Sequence, residues 1–554
     1  MATLPCEPDA SGLGLRGPAL GGPALGRPAL GGPEASGSVP SAMAVGGVHA
    51  EGIVTDVAVV GAGPAGLAAA VAAAAAGAAV VLIDSEPVVG GQFWRHPAPA
   101  PVSGIGPLRE AEVAGVHHNL RRYRSLRRRL AGHVAAGTVT HLAGHEVWAL
   151  EPLPTGGAGC DARGDAEEAP EPRFAVYATA GAPGARRETT VHARSLVLAT
   201  GAYDLQLPFP GWDLPGVMTA GGVQSLLKGH AVLAGRRVVV AGTGPFLLSV
   251  ASGLLRSGAT VPGVFEAARP TRWLREVRAV GAAAGKLAEG LGYARDLALH
   301  RVRYRTGWTV LRASGEDRLQ TVTVVPLDSA GHPVTAGSRS IAADVLAVGW
   351  GFVPQLELPV ALGCGTTQDP HGLPVVVVDS EQRSSVPGVF AAGEICGVGG
   401  AAMAVVEGEI AGTTAAEELT TRTGADRLAE RAIDPRRVHL LHRRDAWRAF
   451  AGALARAYPV PAGWIDRLDG DTLVCRCEEV TAGAIRAVAI RDGAADARSA
   501  KLLARPGMGW CQGRVCGYAT ECLAARTAGT TPRHPPTERP IAAPVPLGLI
   551  GAEC

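Results

Sequence analysis

A chain of 554 residues with a hydrophobic fraction of 47% has room for three or four domains with real cores. Its 52 Lys plus Arg balance 50 Asp plus Glu, which leaves no long-range field to favour nucleic acid or an anionic membrane surface. Ten cysteines are too few for a secreted disulfide scaffold of this length, and four crowd between Cys475 and Cys516, which points to metal in a reducing, cytoplasmic compartment.

The chain opens on a near-repeat, GPALG-GPALG-RPALG, too poor in large apolar side chains to offset its ordering entropy; residues 1–52 therefore read as a disordered low-complexity leader, with Met43 as an alternative start. No charged segment leads into an apolar core with a cleavage site, so no secretion signal is expected. The uncharged run Val57–Ile83 is long enough to span a bilayer, but it is mostly alanine and holds Gly61, Gly63, Pro64 and Gly66. It reads as strand, turn and buried helix, without membrane insertion.

Within that run, VAVVGAGPAG places Gly61, Gly63 and Gly66 between an apolar strand and an alanine-rich helix. Gly61 permits the tight turn, Gly63 lets backbone approach a pyrophosphate, and Gly66 lets helix pack on strand. Asp84 ends the next strand, VVLID, where a carboxylate can hold a ribose hydroxyl. Gly90, Gly91 and Gln92 follow. The next helical stretch carries Arg121, Arg122, Arg124, Arg127, Arg128 and Arg129; in a near-neutral chain it reads as a solvated helix face or subunit contact rather than a nucleic-acid strip. His96, in QFWRHP, is a candidate proton carrier beside a flavin or an ordinary loop histidine. The Gly-, Pro- and acid-rich patch Pro152–Pro172 reads as a surface insertion.

Further on come LVLATGA, with Thr200 and Gly201, and a second strand-turn-helix start, VVVAGTGPFL, with Gly242 and Gly244 but Leu247 in place of a third glycine. That leucine should push helix from strand, leaving this site either a nicotinamide site, NAD suiting Glu266 better than NADP, or a retained packing domain without ligand. PGVFAAGE then brings Gly393 and Glu394. Neither the segment after Gly91 nor that after Gly242 holds a cysteine pair, so dithiol chemistry is not available, and lone Cys396 is either a neighbour of the flavin or, more commonly for such a residue, a small core residue.

The last hundred residues contain TLVCRCEEVT and GMGWCQGRVCG, which supply Cys475, Cys477, Cys511 and Cys516. Four thiolates suit zinc or a two-iron cluster; C-x-C with C-x4-C is not the usual pair of C-x2-C zinc knuckles and favours iron-sulfur. Thr481 is placed to cap a helix over AGAIRAVAI, Gly507 and Gly509 give a flexible approach to a helix starting near Cys511, and Cys522 reads as a buried helix residue.

The first glycine turn, GGQ, ATG and the late Gly-acid pair resemble the flavoproteins with two dinucleotide-binding domains. In that family the first turn binds FAD and the late pair, here Gly393-Glu394 with one methylene more than aspartate, contacts the ribityl-phosphate side. The combination of VVGAGPAG, GGQ, ATGAYD, GWDLPGVMTAGG, VVVAGTGP, VPGVFAAGE, CRCEEVT and GMGWCQGRVCG is similar, from about Asp56 to the tail, to the FAD-containing subunit of bacterial multi-subunit amine-oxidising dehydrogenases. That group holds the opine oxidases, hydrogen cyanide synthase and the proline and hydroxyproline dehydrogenases. The resemblance implies FAD, a [2Fe-2S] cluster, a glycine-oxidase-like flavoprotein partner carrying the substrate site, and a small ferredoxin-like subunit.

The expected fold is α/β, with two Rossmann-like dinucleotide-binding domains and a small helical C-terminal iron-sulfur domain. Its expected parts are an FAD domain over 53–205 and 335–420, an NAD(P)-like domain over 206–334, a helical linker over 421–470, the cysteine domain over 471–530 and a Pro-rich tail over 531–554. The expected function is electron transfer from the C–N bond of an amino acid, imino acid or opine. The rivals are an NADH-dependent ferredoxin-type reductase, which needs the Gly242 site, and a non-redox scaffold with a structural zinc module.

Overall fold

The alternation of β-branched and Ala/Leu-rich runs builds two largely parallel sheets, each opened by one of the glycine turns. The computed structural model describes residues 52–97, 117, 119–154, 171–182, 185–276, 284–420, 434–533, 539 and 541–550. The low-complexity leader, with Met43, and most of the patch expected at 152–172 lie outside them.

The first sheet has seven strands, in the order Val139–Ala143, Val80–Asp84, Ile53–Val60, Arg187–Leu198, Phe174–Ala180, His145–Pro152, with Val389–Ala391 also on Arg187–Leu198. The strands that end in the sequence motifs are mutually parallel. Their carboxyl ends therefore meet at one edge, where open α/β sheets hold their ligands. The run Val57–Ile83 is strand, turn and buried helix α1 (Pro64–Ala75), as its composition implies. Helix α2 (Leu120–Ala135) buries Tyr123, Leu126 and Leu130 and leaves Arg121, Arg124, Arg128 and Arg129 exposed on the surface of this chain.

The second sheet takes Tyr304–Thr306, Val264–Glu266, Val238–Gly242, Val345–Gly349 and Val217–Thr219, with a three-stranded meander formed by Trp308–Ser314, Thr321–Pro326 and Arg339–Ala342. Arg339–Ala342 and Val345–Gly349 thus belong to the second layer. The return to the first domain comes after Gly349 rather than at 335, because Val345–Gly349 pairs along the whole of Val238–Gly242. Helix α3 (Phe246–Arg256) follows the second glycine turn. Leu247 does not mark a loosened helix: its side chain is fully buried in a core shared with Val238, Val240 and Ala220.

Helix α4 (Ala401–Thr420) lies along α1, and the approach is set by two glycines one turn apart. A Cβ on Gly408 would lie 2.0 Å from the Ala65 carbonyl oxygen, and one on Gly412 would lie 2.1 Å from that of Ala69. Small residues at this spacing let two helix backbones touch. The stretch expected as a linker supplies helix α5 (Pro435–Ala457), capped by Asp434 and tied to the first domain by buried ions. Arg437 pairs with Glu381 and Glu417, and Arg448 pairs with the fully buried Glu407 at 2.9 Å. At its far end Arg456 grips Glu276 of the second domain through two 2.8 Å hydrogen bonds. Helix α5 therefore spans both domains.

The C-terminal module consists of a short hairpin, Leu473–Cys475 with Val480–Thr481, and helices α6 (Ala482–Asp492), α7 (Ala497–Ala504) and α8 (Gly517–Thr527). Thr481 caps α6 through the Ala484 N–H, as its position predicts, and Cys522 is buried. The helix expected near Cys511 starts six residues later, at Gly517: Gln512 and Gly513 both take positive φ and hold Cys511 in a turn. Among the described residues no helix is long and apolar enough to cross a membrane.

Candidate functional site

At the edge of the first sheet the motifs interlock. Gly61 takes φ +98°, and a Cβ there would strike the Ala199 carbonyl oxygen at 2.4 Å; one on Gly66 would sit 1.7 Å from the Gly61 oxygen. Both positions require glycine. Gly63 instead faces open space, its nearest neighbour being Gly91 Cα at 3.9 Å from the added atom, and it starts α1 with no side-chain cap. Uncapped N–H groups beneath a bare glycine form a cradle for a pyrophosphate, so the residues present fit the FAD that the motif implies.

The flanking residues close the cradle. Gly90 N–H donates to Ala62 O at 2.8 Å, which lays Gly90, Gly91 and exposed Gln92 beside the turn. Asp84 accepts from the Ala62 and Glu86 amides, and burial raises its carboxyl above the usual range. Thr200 Oγ1 donates to Gln355 O at 2.8 Å, and Gly201 O accepts from Gln355 N–H at 2.9 Å. Glu394 accepts from Gly400 N–H at 2.8 Å, and burial pushes its carboxyl up to about 7. Gly393 N–H donates to Glu407 at 2.9 Å, so the late motif is anchored through Glu407 to Arg448 of α5. Neither Glu407 nor Arg448 stands out in sequence; the one signal is that Glu407 directly precedes the packing Gly408 in an apolar run. His96 Nδ1 lies 3.0 Å from Trp94 O, in the loop that continues from Gln92.

The second turn holds its acid as the first does, through amides of the turn and of residue i+2, but more deeply buried. Glu266, at the place where a ribose would be held, is 1% exposed and accepts from Gly244 N–H at 2.9 Å and Ala268 N–H at 2.8 Å. Both oxygens thus staple the turn from inside. Beside it, a cleft of about 340 Å³ lies between Gly244, Phe246, Trp350, Cys396, Arg448 and Tyr458, roofed by α5. Burial raises the Glu266 carboxyl to about 7. A raised carboxyl means that the folded state holds the extra proton, so this stability is full below the ordinary carboxylate range and is lost as pH rises through about 7. Wild type is expected to lose more thermal stability than Glu266→Gln between pH 6 and 8, a difference that melting curves at both pH values read directly.

The four cysteines of the last module come together. Cys475, Cys477, Cys511 and Cys516 line one pocket of about 130 Å³ with Gln206, Arg476 and Val515. Cys475 and Cys516 are buried and Cys477 is exposed. Gly507 N–H donates to Cys475 Sγ at 3.5 Å, and a Cβ on Gly509 would lie 2.3 Å from Cys477 Cβ, so both glycines serve close approach. The Cys516 thiol, with the Val515 and Gly513 amides, holds Cys511 down to about 5 against desolvation. Among the described residues no group of three or more His, Cys, Asp or Glu side chains is placed to hold a metal ion. The donor set is all-thiolate, the chemistry of zinc and iron-sulfur sites.

This pocket is joined to the dinucleotide edge. Gln206 lies six residues from Thr200, so their Cα atoms are at most about 20 Å apart. Trp350, which lines the cleft, packs in the same apolar cluster as Cys475 and Cys516. Trp212 Nε1 donates to Leu473 O at 2.6 Å, while Arg476 lies 4.9 Å over the Trp212 ring, which pins the cysteine hairpin to the second domain.

Residues 55–418 match the family model described as pyridine nucleotide-disulphide oxidoreductase. Hydrogen cyanide synthase subunit HcnB of Pseudomonas aeruginosa is 33% identical over 85% of this chain and 92% of its own. An opine oxidase subunit of Rhizobium meliloti strain 1021 is 33% identical over 89% of this chain and 98% of its own. The crystal structure of L-proline dehydrogenase from P. horikoshii shares the fold, at TM-score 0.58 and 19% identity, over 90% of this chain and 80% of that one. The chain belongs to the pyridine nucleotide-disulphide oxidoreductase family and is an FAD-dependent oxidoreductase.

Proposed function

We propose that this chain is the FAD- and iron-sulfur-containing electron-transfer subunit of a cytoplasmic multi-subunit oxidoreductase acting on the C–N bond of an amino acid, imino acid or opine. The observation that carries this is the pocket formed by Cys475, Cys477, Cys511 and Cys516, whose wall includes Gln206 on the segment leading from the FAD edge. Relatives named as subunits of opine oxidase and hydrogen cyanide synthase support partner subunits. In the proposed assembly the substrate site lies on a glycine-oxidase-like flavoprotein, and a small ferredoxin-like chain completes it.

In this reading the cofactors carry the electron chemistry and the protein positions them. Gly61, Gly63 and Gly66 hold a pyrophosphate on α1, Asp84 fixes the turn, and Gly393 with Glu394 holds the flavin side under control of Glu407. The four thiolates hold a two-iron cluster, stabilised by the Gly507 N–H. The NADH-dependent reading needs the Gly242 turn, and reduction by NADH tests it. The zinc scaffold shares the same thiols and is separated by metal analysis.

The purified chain alone is expected to show no flavin bleaching under anaerobic conditions with amino acids, imino acids or opines, and to be reduced once its co-expressed partner subunit is present. Saturable reduction by NADH without any partner would contradict the proposal and favour the reductase.

A further inference from the structure

One cation sits inside the C-x-C pair itself. Arg476 lies between Cys475 and Cys477, so its Cα is about 3.8 Å from that of each, and it lines the same pocket as the four thiols. A long arginine on an exposed turn ordinarily samples many rotamers, which averages its charge over a wide volume. Here the head is held. Arg476 Nη2 donates to Asp213 O at 2.8 Å, and the guanidinium carbon lies 4.9 Å over the Trp212 ring. Trp212 is 4% exposed and is itself tied to the hairpin, its Nε1 donating to Leu473 O at 2.6 Å. Leu473 and Arg476 thus grip the same buried indole, and the charge keeps one place beside the pocket.

That charge has no carboxylate of its own: Arg476 makes no ion pair among the described residues, its contacts being the Asp213 carbonyl and the indole face. The neighbouring charges are of both signs and mostly matched. Glu478 pairs with Arg505 at 3.0 Å, and Glu357 holds both Arg514 and Arg539, at 2.7 and 2.6 Å. Glu479 and Asp213 lie nearby without an ion pair among the described residues, but neither lines the pocket, whose wall is completed by Gln206 and Val515. Arg476 is therefore the one charged side chain, other than the thiols, that belongs to a residue of that wall.

We propose that Arg476, held against Trp212, is a tuning charge that raises the reduction potential of the centre bound by Cys475, Cys477, Cys511 and Cys516, and so favours passage of an electron into it from the flavin. The inference rests on the iron-sulfur reading and adds the residue that sets how strongly the centre accepts electrons. A centre held by thiolates is anionic and gains a further negative charge with each electron, so a fixed cation beside it stabilises the reduced state more than the oxidised one. One electron enters, no bond to a cysteine breaks, and the guanidinium stays protonated in both states. Water on its open side screens this charge, so the effect fades with salt.

The test is a redox titration of full-length, anaerobically purified protein, followed by cluster absorbance and electron paramagnetic resonance, with iron and sulfide assayed on every sample. Arg476→Met and Arg476→Gln remove the charge, and Arg476→Lys keeps it. In both neutral variants the ratio of reduced to oxidised centre at a fixed potential is expected to fall about tenfold, which is about 59 mV for one electron. Arg476→Lys should stay within about twofold of wild type, since it keeps the charge and loses only the planar head. The gap between wild type and the neutral variants should be wider at about 0.01 M than at about 1 M salt. Unmoved potentials in iron-loaded neutral variants, or an equal shift in Arg476→Lys, would overturn the inference alone. Loss of iron from all three variants would also overturn it, by showing that packing rather than charge is needed, whereas loss from the two neutral variants only would support it. Wild type that carries no iron and sulfide would refute the cluster reading itself, and the inference with it.

Discussion

Replacing Cys475 and Cys516 together with serine is expected to strip iron and acid-labile sulfide from the chain while leaving its flavin in place. Both thiols are buried, at 1% and 2% exposure, and Cys475 Sγ receives the Gly507 N–H. The module's apolar core, with Trp464, Ile485 and Leu523, remains. The FAD cradle is built from a different cluster, around Leu67, Val71 and Leu82. Iron content should fall by more than about tenfold, and electron transfer to an external acceptor with it, at an unchanged ratio of flavin to protein. Retention of iron in the double variant would show that these cysteines are not the ligands.

The second large effect lies in a contact between helices. Gly408→Leu places a side chain where its first carbon already lies 2.0 Å from the Ala65 carbonyl oxygen, and the obstacle is backbone that cannot rotate away. Overpacking a core typically costs about 1–3 kcal/mol, and a backbone collision belongs at or above the top of that range. Because Glu407, which holds Gly393, and Ala65, in the first turn of α1, are displaced together, FAD should be lost along with stability. Thermal melting and the ratio of flavin to protein measure both. A variant that melts like wild type with full flavin would show that α4 does not set the cradle.

The fold was legible where a local pattern has one physical meaning. Strand, Gly-x-Gly and alanine-rich helix can hardly be anything but a dinucleotide turn, and Thr481 ahead of an apolar-periodic run caps its helix as expected. The four cysteines were legible as a set because two close pairs leave few other uses. What escaped is non-local. Gly408 and Gly412 are ordinary small residues until α1 lies against them, and Glu407 with Arg448 becomes a buried pair only when α5 folds back across the first domain. The domain boundary near 335 was misplaced for a similar reason: Val345–Gly349 reads as an apolar strand in either sheet, and only its register with Val238–Gly242 assigns it. At Leu247 the fingerprint rule gave way to packing, since a fully buried leucine completes that core.

The visible spectrum of anaerobically purified protein, with iron and acid-labile sulfide determined on the same sample, tests the central claim most directly. Flavin bands over a broad cluster absorbance are expected, with about two iron and about two sulfide per chain, as a four-cysteine two-iron site requires. A flavin-only spectrum with zinc in the metal analysis would contradict it, leaving an FAD enzyme whose cysteine module is structural.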